Sequence, residues 1–506
     1  MKRKNNACTL AVRTLAIFVL VAFAPRPAPA APIPVVEMRT PASPLITFRI
    51  QFRTGSADDP AGKAGLARLT ASMMTDGATT THSYREVSDI LYPMAASVRA
   101  RVDREVTTFV GTVHRDHLEK YYSLLVEMMT GPAMDPADFD RVRSNQLNYI
   151  TKTLRTNDDE EFGKQALQSM LYAGQPYGHP VAGLESDLKA ITLDDVRNFY
   201  SAQFTRNNVT IALAGGYPPS LPARVRANLA HLSNAHPEPM TIPEPKPVRR
   251  MPVLVVEKPG RATAISMGFP IDITRADPDF YPLLVANSYF GEHRTFNGRL
   301  MIRMRQVRGL NYGDYSYIEN FIQNGGSTFP VSNIPRHQQF FSIWIRPVAP
   351  QNSQFAIRLA LFELEKLVRD GISPHDFENT RQFLINYSRL WAQNQSQRLG
   401  YKLDARFYGT DNILDVLPAR LKALSVNDVN RAIKRHLNYR NICIAIITSN
   451  ADKLMQDLIA NTPSPITYDN NVMPASVLDE DQQVAVYRLQ INRSRARVVP
   501  AADMFR

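Results

Sequence analysis

Two stretches of this chain align with one another without a gap: TLDDVRNFYSAQFTRNNVTIALAGG at residues 192–216 and SVNDVNRAIKRHLNYRNICIAIITS at 425–449. The offset is constant at 233, matching Thr192 with Ser425, Asp195 with Asp428, Val196 with Val429 and Asn208 with Asn441. Each copy opens on a hydroxyl residue followed three places later by Asp, a weaker form of the capping box that starts a helix. A helical stripe follows, then a polar turn, then an apolar run that reads as a strand. Cap, stripe, turn and strand recurring in one order indicate a tandem duplication, with each half ending in the same helix–strand unit.

The rest of the chain fits this division. Its 506 residues exceed one ordinary domain and suggest two to four. Six prolines among residues 237–252 (PEPMTIPEPKPVRRMP) form a semi-rigid linker. The expected order is a leader at 1–30, a first domain at 31–236, the linker at 237–252, a second domain at 253–465 and a tail at 466–506. In the first half, residues 35–52 read as strand, SVRARVDREVTTFVGTV as two strands, and HSYREVSDILYPMA, HLEKYYSLLVEMMTG and residues 137–171 as helix. The second half opens with VLVVEKPG and TAISMGFP as strands, then a helix ending at Gly291. In the tail, VAVYRLQIN offers an extra strand and the arginine-rich end is expected to be exposed.

Residues 1–30 carry the signature of a secretory leader. Lys2, Arg3 and Lys4 precede the apolar run LAIFVLVAFA, and Ala28-Pro29-Ala30 offers a small-residue cleavage site. Ten apolar residues are too few to span about 30 Å of hydrocarbon. Cleavage implies a periplasmic or extracellular address. It removes five basic residues and no acidic one, lowering the net charge from +12 to +7. With the arginines dispersed, that excess does not point to nucleic acid. Cleavage also removes Cys8, leaving Cys443 alone in the apolar run NICIAIIT, so no disulfide framework exists and buried packing is expected. His114 and His117 stand at H-x-x-H spacing, but no acidic or cysteine ligand accompanies them, and surface positions opening a helix are expected.

Residues 62–77, GKAGLARLTASMMTDG, read as an amphipathic helix with Leu66, Leu69 and Met73 on its buried face. Arg68, Ala71 and Ser72, spaced i, i+3, i+4, share another face. The run FRTGSADDPAGKAGLARL…MMTDGATT resembles the insulinase/pitrilysin family of zinc peptidases, whose members read G-S-x-x-x-x-x-G-x-x-G-L-A-H-x-x-E-H-M. In that motif two imidazoles grip the metal and the Glu is the general base. The mitochondrial-processing-peptidase branch adds a Glu ligand after 76 intervening residues, a spacing that leads from Ser72 to Tyr149. Arginine, serine and tyrosine therefore stand at the three ligand positions, and alanine at the base. Four losses at the family spacing imply no catalytic zinc in this chain.

A second motif survives. GRLMIRMRQVRGLNYGDYSYI (298–318) runs from a helix, with Leu300, Met304 and Val307 as its buried stripe, into a strand. It resembles the family's R-x-x-x-x-x-L-x-Y signature, which pairs Arg305 with Tyr312 across Leu310. Arg308, in the adjoining R-G-L, is a further candidate for substrate binding. A tyrosine hydroxyl and a guanidinium are donors suited to an oxyanion and to a peptide backbone. Read from type and crowding alone, Arg299, Arg303, Arg305 and Arg308 form a solvated basic face.

The resemblance spans about residues 35–465. It implies an α+β fold: two tandem homologous domains, each a mainly antiparallel sheet flanked by helices, together forming half of a clamshell. It also implies a division of labour in which a same-family H-x-x-E-H-bearing partner supplies Zn²⁺ and the base, while Arg305 and Tyr312 bind substrate and stabilise the oxyanion opposite. The substrate would be a peptide or unfolded polypeptide. The alternative is a catalytically silent peptide-binding or structural scaffold of the same fold. A stand-alone hydrolase finds no support: there is no G-x-S-x-G and no intact zinc motif.

Overall fold

The computed structural model describes residues 32–238, 240–323, 329–468 and 473–506. The expected leader, with Cys8 in it, lies outside these residues. The first sheet is built from β1 (Val35–Arg39), β2 (Leu45–Phe52), β3 (Ser97–Val102), β4 (Thr107–His114) and β5 (Val209–Gly215). Its order is β1-β5-β2-β4-β3, parallel only between β1 and β5. The second sheet takes β6 (Met251–Glu257), β7 (Thr263–Ile271), β8 (Asp314–Tyr317), β9 (Gln339–Val348), β10 (Cys443–Thr448) and β11 (Ile491–Pro500). Its order is β11-β6-β10-β7-β9-β8. With β11 set aside the two orders are one topology, since β6 is parallel to β10 and β7, β8 and β9 pair antiparallel.

The repeated segments form that topology in the same way twice. Thr192 and Ser425 each accept from the backbone N–H three residues on, and Asp195 and Asp428 each accept from the cap residue's N–H at 2.7 and 2.9 Å. The capped helices Leu193–Gln203 and Val426–His436 lead into the central strands β5 and β10. Cys443 is buried at the start of β10.

The halves are interlocked by an exchange of helices. Asp159–Leu171, from the first half, packs on β7 and β10 of the second sheet. A Cβ at Gly268 would lie 3.2 Å from Leu167 and 2.5 Å from the Phe341 carbonyl, so only glycine admits the helix this closely. In return Gln395–Tyr408 lays Leu399 and Leu403 on Ala212 and Ala214 of β5.

The tail departs from the sequence reading. Val484 and Ala485 end the helix Ala475–Ala485, and the extra strand begins only at Ile491, where β11 pairs parallel with β6. Arg493, Arg495 and Arg497 are exposed along it. The strand closes an edge that would otherwise leave the β6 backbone unpaired. Met251 and Pro252, assigned to the linker by composition, belong to β6, where Met251 pairs with Ile491 of β11. Val307 is half-buried, whereas Leu300 and Met304 are fully buried.

Candidate functional site

The helix Leu66–Asp76 presents Arg68 and Ser72 to a cavity of about 690 Å³ between the two halves. Tyr149 enters from the end of Pro136–Asn148, where the chain passes into a π-helical segment, Tyr149–Asn157. The Arg68 guanidinium lies over the Tyr149 ring, 4.6 Å from its centroid. Burial lowers the Arg68 pKa and raises that of Tyr149. Ala71 is fully buried in the first core. A fixed cation stacked on a phenol, beside a hydroxyl, is a donor set that does not fit zinc, which takes thiolate, imidazole or carboxylate. No cluster of three or more His, Cys, Asp or Glu able to hold a metal occurs among the described residues. His114 and His117 bracket a short turn before the helix Leu118–Thr130, as the sequence suggests.

The second half contributes to the same cavity. Trp344 of β9 carries the Lys164 ammonium 3.6 Å above its ring, and Lys164 stands 3.9 Å from Glu161. Burial lowers Lys164 and raises Glu161. At the cavity floor Arg336 holds Asp103 through two hydrogen bonds of 2.7 Å. Arg104 lies beside them, almost fully buried, donating to Gln168 Oε1 at 3.4 Å, to Ser56 Oγ at 3.3 Å and to the His179 carbonyl. Burial and the neighbouring Arg336 lower its pKa to about 10. Sequence reasoning missed this floor, because its partners lie more than 230 residues apart. The only local trace is the run R-V-D-R at 101–104.

Arg305 and Tyr312 do not line this cavity. Arg305 sits in a second π-helical segment, Met301–Gln306, with its guanidinium 5.2 Å from the Phe296 ring centroid. Such segments are frequent at functional sites. Gly309, at φ +64°, turns the chain, and Leu310 anchors it in the core. The Asn311 side chain donates to Asp314 at 2.7 Å and to the Arg346 carbonyl at 3.0 Å, and accepts from Gly313 N–H at 3.2 Å. Tyr312 therefore stands on a pinned turn with its side chain in solvent, 79% exposed.

The basic face resolves into two kinds of arginine. Arg299 and Arg303 donate to Glu363 at 2.7 and 3.2 Å. The Arg308 side chain is wholly buried, bound to Glu480 and Asp481 at 2.7 Å each. The expectation that Arg308 contacts substrate is corrected: the tail helix covers it and satisfies its charge. Arg305 has no carboxylate within 4 Å among the described residues. Glu480 and Asp481 lie over a hundred residues downstream, outside any local pattern.

Two family models match the chain, one described as insulinase (peptidase family M16) over residues 35–185 and one as peptidase M16 inactive domain over residues 190–384. The chain belongs to the insulinase family, peptidase family M16, and carries its two-domain fold without the family's zinc-binding and base residues. Among curated relatives, the non-peptidase homolog YmxG of Helicobacter pylori is 20% identical over 83% of this chain and 92% of that protein. An uncharacterized zinc protease of Streptomyces coelicolor is 22% identical over 83% and 88%. Among solved structures, a peptidase M16 inactive domain from Pseudomonas fluorescens has a TM-score of 0.72 at 21% identity, over 83% of this chain and 97% of that one. The periplasmic protease PqqL from Escherichia coli has a TM-score of 0.63 at 16% identity, over 90% and 49%.

Proposed function

We propose that this chain is the non-catalytic subunit of a periplasmic heterodimeric zinc metallopeptidase. The observation that carries the reading is a contrast. The metal positions hold an arginine stacked on a tyrosine, while Arg305 and Tyr312 remain presented on a surface away from that pocket. A pair that serves its own chain's metal would face the cavity; a pair that serves a partner would face outward. The same-family partner would supply zinc chemistry and the general base across a clamshell chamber.

In that complex the residues of this chain act on the substrate carbonyl. As its oxygen gains negative charge, the Tyr312 hydroxyl donates one hydrogen bond and the Arg305 guanidinium adds charge-assisted donors. The turn pinned by Asn311 holds Tyr312 in place before substrate arrives, so little reorganisation is needed. Phe296 under Arg305 orients the guanidinium in the same way. The leader at residues 1–30 supports the periplasmic address, and no helix among the described residues is long and apolar enough to cross a membrane.

The test is peptidase activity of the co-purified pair carrying Tyr312→Phe or Arg305→Ala. Activity should fall while assembly, followed by size-exclusion chromatography, survives. A catalytically silent peptide-binding scaffold is the competing reading, favoured by the cavity at Arg68. It requires that neither substitution change hydrolysis.

A further inference from the structure

We infer that the cavity at the former metal position is a carboxylate-binding site, which takes an extended peptide bearing either a free C-terminus or an acidic side chain. The first ground is charge. Six cationic side chains line the cavity against four carboxylates, and the carboxylates are largely committed. Asp103 is held by Arg336, Asp158 caps the Glu161 N–H, and Glu161 faces Lys164. Arg68, Arg99, Arg101 and Arg104 have no carboxylate within 4 Å among the described residues. Arg104 is the most telling: it is 1% exposed, its Nε has no hydrogen-bond partner among the described residues, and its neighbour Arg336 already takes both oxygens of Asp103. A buried guanidinium without a counter-ion is costly, and an incoming anion would relieve that cost.

The second ground is shape. β3 is an edge strand, paired only with β4 among the described residues, and its residues from Val98 to Val102 run along the cavity wall. Its outer row of N–H and C=O groups can pair with an added strand. Arg99 and Arg101 share one face of β3, and Arg68 stands on the helix that packs against the opposite face, the one bearing Val98. A strand laid on this edge would run between Arg68 on one side and Arg99 and Arg101 on the other, all three lining the cavity that its carboxylate would enter. The family's metal position would thus have exchanged a Lewis acid for a hydrogen-bonding cation.

The inference rests on this chain's own cavity and needs no partner, so its failure would leave the heterodimer reading standing. The experiment is fluorescence anisotropy with the full chain and three fluorescein-labelled ten-residue peptides. One has a free C-terminal carboxylate, the second is its amide, and the third is the amide with one internal Glu. At low salt the free acid, the Glu peptide or both should bind about tenfold more tightly than the plain amide. The arm that gains identifies the source of the carboxylate. Arg68→Ala should erase the advantage, as should Arg99→Ala at an exposed position where folding is not at risk; circular dichroism checks that both variants are folded. Equal binding of all three peptides, no binding at all, or an advantage that survives both substitutions would overturn the proposal.

Discussion

At the scale of single residues, the arginines of one short segment divide by what surrounds them. Arg305 has solvent and Phe296 as neighbours, so Arg305→Ala and Tyr312→Phe should leave the thermal midpoint unchanged. Each should lower the turnover of the assembled pair by about 10²–10³-fold if the pair donates to an oxyanion. Arg308→Ala should do the reverse. It leaves a buried void and takes from Asp481 its only guanidinium among the described residues, with the Tyr468 hydroxyl as the remaining partner, while Glu480 keeps Arg303 and Lys366; chemical denaturation should show a loss of about 3 kcal/mol. Asp314 offers a pH test. Burial raises its carboxyl from the ordinary 3.8 to about 8, and one of its oxygens has no hydrogen-bond partner among the described residues. The folded state thus binds the proton more tightly than the unfolded one. The associated stability is full below about pH 4 and is lost as pH rises through 8. Asp314→Asn mimics the neutral form, so its melting temperature should match wild type near pH 4 and exceed it at pH 8. A constant difference across that range would refute the assignment.

At the scale of elements, the duplication makes a matched prediction. Thr192→Ala and Ser425→Ala remove the same cap from counterpart helices, and each should cost about 1 kcal/mol in denaturant titrations. These helices were legible in the sequence because cap, stripe and turn are all local. The strand β11 was not. INRSRARVVP has the charge of a solvent-exposed tail, and only the vacant edge of β6, some 240 residues earlier, makes it a strand. The chain end is similar. Phe505 packs edge-on to Phe162 at 5.9 Å between centroids, and its carbonyl accepts from Glu185 N–H. Phe505→Ala should therefore cost about 3 kcal/mol, a result foreign to a loose C-terminus.

At the scale of the whole molecule, the sequence showed which chemistry had been lost and where, since four substitutions fall at family spacings. What it could not show is what replaced it. The cavity floor joins Asp103 to Arg336, and its wall joins Lys164 to Trp344, pairs assembled only when each half lends a helix to the other's sheet. The same exchange couples the halves, so the pocket and the outward-facing Tyr312 belong to one interlocked body. This body is expected to contribute to peptide hydrolysis without a metal of its own. The most direct measurement is cleavage of a quenched-fluorescent peptide library, with zinc quantified in the same samples, for the chain alone and after co-expression with an H-x-x-E-H-bearing relative. The expected result is an inert, zinc-free chain and an active pair holding one zinc per heterodimer. A chain that binds zinc and cleaves peptides alone would contradict it.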